Sequence, residues 1–138
     1  MTCGIGSSAV SDAFDSDVLI FAANGRPLGL STRSLIETGG EFFGSVVLLL
    51  EVVSKPLRLG NATELAAVER LLGRLDLKEV DLDVAKSSAT LGAKYGLKAA
   101  DAIHLATAVV WGADHFHTNN RKDFGPHITE VEVVWPEA

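Results

Sequence analysis

The chain has almost no cysteine: Cys3 stands alone among 138 residues. No intramolecular disulfide can staple the fold, and a reducing cytoplasm is the compartment this composition fits. Long apolar runs are missing too. The longest, VVLLL at 46–50, is far short of the roughly 20 residues that cross a bilayer. The opening MTCGIGSSAVSD has neither a basic start nor an extended apolar stretch, so neither a membrane span nor a secretion signal is expected. Positive charge is the minority, 12 Lys and Arg against 18 Asp and Glu for a net charge of −6, which opposes bulk attraction to a polyanion. No Cys/His grouping suggests zinc, and there is no internal repeat, low-complexity tract or interdomain linker. What is present is a chain 47% hydrophobic, enough for a core without metal or disulfide staples. One domain over 1–138 is expected, with 1–9 as a flexible N-terminal extension.

Apolar spacing alternates between short strand-like runs and longer helical ones. AVSDAFDSDVLI contains a strand ending near Asp15, and the turn-prone NGRPLG follows. FFGSVVLLLEVV reads as a strand passing into a helix that carries Glu51 and that Pro56 ends or kinks. In NATELAAVERLLGRL, 61–75, Leu65, Val68, Leu71, Leu72 and Leu75 recur at the helical period, with Asn61 or Thr63 as cap. KEVDLD is expected as a strand, Asp83 as the N-cap of VAKSSATLGAKYG, Gly96 as its stop, and LKAADAIHLATAVVWG as the next helix, ending at Gly112. ADHFHTN reads as a strand, RKDFGP as a loop and VEVVW as a last edge strand before Pro136. Such alternation predicts an α/β fold of three layers, α/β/α, with a mostly parallel sheet of four to five strands.

Open α/β sheets bind ligands at the carboxyl ends of their strands. Asp15 closes the first strand, Glu51 lies just past the second, Asp101 opens a helix, and Asn119, Asn120 and Asp123 follow the fourth strand, so all could converge on one edge. Carboxylates gathered that way repel unless a cation neutralises them. Oxygen donors alone favour a hard ion, Mg²⁺ or Mn²⁺. Taken singly, Asp15 could cap a turn and Asp101 could serve a helix dipole. Asp17 fits a helix-start cap or a supporting acid better than a primary ligand. Glu51 amid VVLLLEVV is hard to place on a solvated surface, because burying an unpaired carboxylate is costly. His104 reads as a hydrogen-bonded core histidine; His115 and His117 share a strand face but are weak evidence for a metal site by themselves. Lys55, Lys98, Arg121 and Lys122 flank the acids, and any one pair fits the solvated end of a helix or loop. Lys98 also stands where a small N-cap is expected.

Four pieces, FDSDVLI, the Glu51 of SVVLLLEVVSKPLR, LKAADAIHLATA and GADHFHTNNRKDF, occur in that order across almost the whole chain. Together they resemble the PIN-domain ribonucleases, especially the VapC-like toxins of type II toxin–antitoxin pairs. The resemblance implies a PIN-like α/β/α fold and a pocket binding Mg²⁺ or Mn²⁺ that hydrolyses RNA phosphodiester bonds to a 5′-phosphate and a 3′-hydroxyl. It matches Asp15, Glu51 and Asp101 to the family's first three acids and implies that Asp15 and Asp101 contact the metal most directly. Glu51 would act through water or orient the nucleophile, and Lys55, Lys98, Arg121 and Lys122 would contact RNA phosphates. Implied partners are the RNA substrate, a cognate antitoxin whose basic or amphipathic segment enters the pocket, and a second copy in a homodimer, with apolar residues of the 61–75 helix as candidate contacts.

The chain departs from the family at the fourth acid. Many members carry TND where this one reads TNN, and Asp123, three or four residues on, is the alternative. An Asn can ligate through its carbonyl oxygen but brings no charge and no base, so weaker metal binding is one consequence and a PIN-fold binding module with little or no catalysis is the alternative function. A phosphatase of the haloacid-dehalogenase type is the other rival, since DSD at 15–17 fits its DxD and HFHT its second motif. Only 20 residues follow Thr118, however, and they hold no acid pair to complete that site.

Overall fold

Residues 10–137 are described by the computed structural model; the extension expected over 1–9, Cys3 included, lies outside them. The strands are β1 (Ser11–Phe14), β2 (Glu41–Ser45), β3 (Asp76–Lys78), β4 (His115–His117) and β5 (Glu132–Val134). The helices are α1 (Ser16–Ala23), α2 (Pro27–Thr38), α3 (Val47–Leu59), α4 (Ala62–Leu72), α5 (Leu82–Tyr95) and α6 (Ala99–Val110). The strands form one sheet in the order β3-β2-β1-β4-β5, every neighbouring pair parallel. Successive strand side chains point to opposite faces. Phe14 and Phe42 therefore enter the core under α1 to α4, whereas Ala13, Phe43 and Phe116 enter a second core with Val84 and Leu91 of α5 and Leu105 and Ala106 of α6. This is the α/β architecture expected, with the last strand at the edge.

Several local expectations change. NGRPLG is not all turn: Pro27 is the first residue of α2, where its missing N–H is no loss, and Leu28 and Gly29 lie within the helix. α1 and α2 were not foreseen as helices; in SDVLIFAA six of eight residues are apolar, so no helical stripe stands out. Of KEVDLD only Lys78 belongs to a strand. The N-cap of α5 is Asp81, whose carboxylate accepts from the Val84 N–H at 2.9 Å, and Asp83 falls in the first turn, where its charge suits the dipole. Pro56 lies inside α3, which continues to Leu59 and stops at Gly60 with φ +64°. Asn61 caps α4 as expected, accepting from the Glu64 N–H at 3.0 Å. Val68, Leu71 and Leu72 of α4, with Leu75 beyond it, are core residues rather than a docking face. Exposed apolar side chains include Leu49, Leu50, Leu57 and Leu59 of α3 and Leu28 and Leu30 of α2, besides Val10, Val80, Leu82, Val110 and Trp111 elsewhere. No helix among the described residues is long and apolar enough to cross a membrane.

α1 and α2 fold back on each other at Gly29. A Cβ there would lie 2.2 Å from the carbonyl carbon and oxygen of Phe21, which are backbone and cannot rotate away. Gly29→Ala is expected to destabilise the fold by about 3 kcal/mol in urea unfolding. Asn61→Ala, which removes only a cap, should cost about 1 kcal/mol.

Candidate active site

In a parallel sheet every strand leaves toward the same edge, and the candidate acids follow from that. Asp15 sits where β1 becomes α1. Its own N–H still donates to the His117 carbonyl at 2.9 Å, while its side chain caps the helix by accepting from the Ser16 N–H at 2.8 Å. The second carboxylate oxygen accepts from the Thr118 hydroxyl at 2.9 Å. The residue is 2% exposed. Burial pushes its pKa up to about 6 from an ordinary 3.8, against the pull of His104 and the two hydrogen bonds, and the charge of Asp101 adds to the rise.

Glu51 projects from α3 toward α6, where the fully buried His104 donates through Nε2 to its Oε1. That hydrogen bond, first among the causes, holds the Glu51 pKa below the usual carboxylate range. Asp101, one turn before His104 on α6, is raised, first by burial and then by the charges of Asp123 and Glu51, with Asp17 adding to them. Asp101 thus lies within electrostatic reach of Asp15, Glu51, Asp123 and Asp17. His104 is the hydrogen-bonded core histidine anticipated, and its partner is one of the acids.

The loop after β4 separates the two asparagines. Asn120 donates through its amide to Asp123 Oδ2 at 3.0 Å and accepts from the Asp123 N–H at 3.1 Å, while its own N–H donates to the Thr118 hydroxyl at 3.0 Å. Asn119 holds both side-chain polar atoms buried with no hydrogen-bond partner. Asn120 therefore positions Asp123, and Asn119 is the asparagine with a free oxygen. Thr118, which ties Asp15 to this loop, was not singled out from the sequence. Its signal is the turn pattern of a Thr whose hydroxyl takes the N–H two residues on.

The flanking bases are spread around this edge. Lys55 is exposed on α3 one turn beyond Glu51, and Lys98 is exposed at the start of α6 without a capping side-chain bond. Arg121 and Lys122 are exposed in the loop, Arg121 over the Trp135 ring at 4.7 Å. Lys94, by contrast, is tied to Glu130 at 2.7 Å.

Among the described residues, no three or more Asp, Glu, His or Cys side chains already stand around a common point as ligands. The donor chemistry still fits a hard divalent ion: the donors are oxygens, Asp15 and Asp101 are destabilised as anions, and Asn119 has an unpartnered carbonyl oxygen in the same loop.

Comparison with curated proteins gave no match. The family model of the PIN domain matches residues 13–125, which span all four acids. Among solved structures, the chain is similar to one in a toxin–antitoxin complex from Klebsiella pneumoniae, at 26% identity and TM-score 0.70, covering 88% of this chain and 98% of that one. It is also similar in fold to a chain of VapBC2 from Rickettsia felis bound to a DNA fragment from their promoter (15% identity, TM-score 0.72, 91% and 98% covered). A chain of DNA-bound VapBC from Salmonella typhimurium gives 18% identity and TM-score 0.69, with 91% and 97% covered.

A carboxyl group with a raised pKa is bound to its proton more tightly in the folded than in the unfolded chain. Asp15 therefore favours folding most below pH 3.8 and loses that contribution as pH rises through about 6. Asp15→Asn keeps the cap, and the Thr118 hydroxyl can turn to accept from the new amide. In EDTA at pH 7 the variant should be more stable than the parent by about 3 kcal/mol, the gain fading toward pH 4, as read from urea midpoints across that range.

Proposed function

We propose, from the premise that the chain belongs to the PIN-domain family, that it is a VapC-like toxin of a type II toxin–antitoxin pair and cleaves RNA with the help of Mg²⁺ or Mn²⁺. PIN-domain nucleases are hydrolases that generally use divalent metals. The observation that carries the proposal is that Asp15 and Asp101, on neighbouring elements, are both made costly as anions, Asp15 first by burial and also by the charge of Asp101, and Asp101 first by burial and then by the charges of Asp123 and Glu51.

Asp15 and Asp101 would hold the ion, and Asn119 or Asp123 would complete its shell. Bound there, a divalent ion supplies Lewis-acid chemistry, offsetting charge that builds on the phosphate. Glu51, kept ionised by His104, orients the attacking water in line with the bond to the 3′ oxygen. Breaking that bond leaves a 5′-phosphate on one fragment and a 3′-hydroxyl on the other. Lys55, Lys98, Arg121 and Lys122 position the RNA through its phosphates, a local attraction that the net charge of −6 would otherwise oppose.

The same reading gives the chain a single domain, a cytoplasmic setting, a homodimer and an antitoxin partner. The similar chain from Klebsiella pneumoniae comes from a toxin–antitoxin complex, and the exposed leucines of α2 and α3 offer an apolar surface to an amphipathic segment. A catalytically weak binding module is the second reading, favoured by the neutral TNN loop.

Asp15→Asn and Asp101→Asn are each expected to lower Mg²⁺- or Mn²⁺-dependent cleavage of RNA on the order of a hundredfold or more, with unchanged circular dichroism. An intact protein that degrades no RNA and binds neither ion would sink the nuclease assignment. In Mn²⁺ titrations Asn119→Asp should tighten binding by adding charge to an unpartnered side chain. Asn120→Asp should not, because it sets a carboxylate against Asp123 in place of the amide that holds it. Expression of the chain should arrest growth and co-expression of a small protein from the adjacent gene relieve it; no arrest would count against the toxin role.

A further inference from the structure

Trp135 follows β5 directly, and the register that sets His117 beside Val134 carries it to the carboxyl edge of the sheet, next to Thr118 and the loop of Asn119, Asn120 and Asp123. Two hydrogen bonds fix it there. The Thr118 N–H donates to the Val134 carbonyl at 3.1 Å, and the Trp135 indole donates through Nε1 to the Phe124 carbonyl at 2.9 Å. Phe124 is fully buried and meets Phe116 edge-on, with ring centroids 5.1 Å apart. The half-buried indole is thus a plate anchored to the end of the sheet. Over it, 4.7 Å from the ring centroid, lies the guanidinium carbon of Arg121, whose backbone N–H donates to the Asn119 carbonyl at 3.0 Å. Arg121 is exposed, and among the described residues its guanidinium pairs with no carboxylate, although Asp123 is its near neighbour in the loop.

We propose that Arg121, held on Trp135, is a stacking platform for one nucleobase of the RNA, adjacent to the phosphate that is cut. The inference rests on the nuclease reading above and names what the substrate places beside the acids. A guanidinium is planar and delocalised and stacks on aromatic faces, and the splayed bases of single-stranded RNA stack on guanidinium planes in turn. With one face over the indole and the residue exposed, the other face of Arg121 is left to solvent, and a base there completes a stack of indole, guanidinium and base. Lys55, Lys98 and Lys122 have no such plane and offer phosphates only a point charge.

Position and charge agree with this role. β5 is two strands from β1, so at roughly 4.8 Å per strand its end lies about 10 Å from that of β1, where Asp15 sits. That distance suits a nucleotide neighbouring the one at the acids. The net charge of −6 opposes long-range attraction to RNA, whereas stacking works by contact with a π face that every base has. A guanidinium already resting on a fixed ring also has less side-chain freedom to lose when a base arrives.

The test reads binding by fluorescence anisotropy with two labelled probes, a short single-stranded oligoadenylate and a chain of abasic ribose phosphates of the same length, in EDTA so that metal-dependent cleavage is off. The parent chain should bind the oligoadenylate about tenfold more tightly than the abasic chain. Arg121→Lys keeps the charge and loses the plane, so it should weaken oligoadenylate binding by about tenfold and leave the abasic chain unaffected. Trp135→Leu should have the same selective effect, and Arg121→Lys, at an exposed loop position, keeps the test valid if Trp135→Leu unfolds. A role in loop packing alone predicts equal losses on both probes, and a phosphate contact alone predicts a silent Arg121→Lys. Either of those results, or equal affinity of the parent chain for the two probes, would overturn the proposal. Cleavage of the oligoadenylate in Mn²⁺ separates the two readings: cleavage without base-dependent binding removes the platform and leaves the nuclease standing, while neither cleavage nor binding removes both.

Discussion

A carboxylate with almost no solvent contact, placed where β1 turns into α1, is the constraint around which the candidate site is organised. Asp15 ends a strand, caps a helix and carries charge at one point. Each role constrains its neighbours: the cap needs the Ser16 N–H, the second oxygen needs the Thr118 hydroxyl, and the backbone N–H needs the end of β4. Those bonds satisfy the group without removing its cost, because the pKa remains raised after all of them are counted. What they do is fix orientation, so the charge is held in place before any cation arrives, which is the meaning of preorganisation in a polar site.

The topology makes such a concentration possible. With all five strands parallel, β1, β2 and β4 release their chains on the same side, and α1 and α3, which follow β1 and β2, start there with their N-termini. Helix N-termini favour anions, and Asp15 at the N-cap of α1 and Asp101 in the first turn of α6 both sit at one, which partly offsets their mutual repulsion. The opposing pKa directions of Glu51 and Asp101 follow from what each meets: Glu51 has the His104 N–H, while Asp101 has burial and other acids. Two carboxylates a short distance apart are thus differentiated, one readily ionised and one reluctant, without any difference in residue chemistry beyond a methylene.

The acids were legible in the sequence because each is an exception to its surroundings, a charge at a strand end or within an apolar run, and a parallel α/β order implies where such ends meet. The two helices after β1 were not legible for the opposite reason: α1 is apolar on nearly all sides and α2 opens on Pro27, which reads locally as a turn. Asp81 and Asp83 are both good caps, and only the chain's exit from β3 decides between them. Asn119 and Asn120 are likewise indistinguishable as letters. Their difference lies in where each amide finds partners, and that depends on Thr118 and Asp123, residues whose relevance appears only once the loop is folded.

The TNN loop then has a physical reading of its own. A carboxylate in place of the Asn120 amide would add charge beside Asp123, an acid already raising the pKa of Asp101, and would remove the donor that holds the Asp123 side chain. The amide instead steadies one acid with a neutral partner, so the loop keeps its shape at a lower electrostatic cost in the absence of metal. The same exchange lowers the negative charge available to a cation. A site built this way trades affinity for a fold that tolerates the empty pocket, and the unpartnered side chain of Asn119 is where its remaining polar capacity is left.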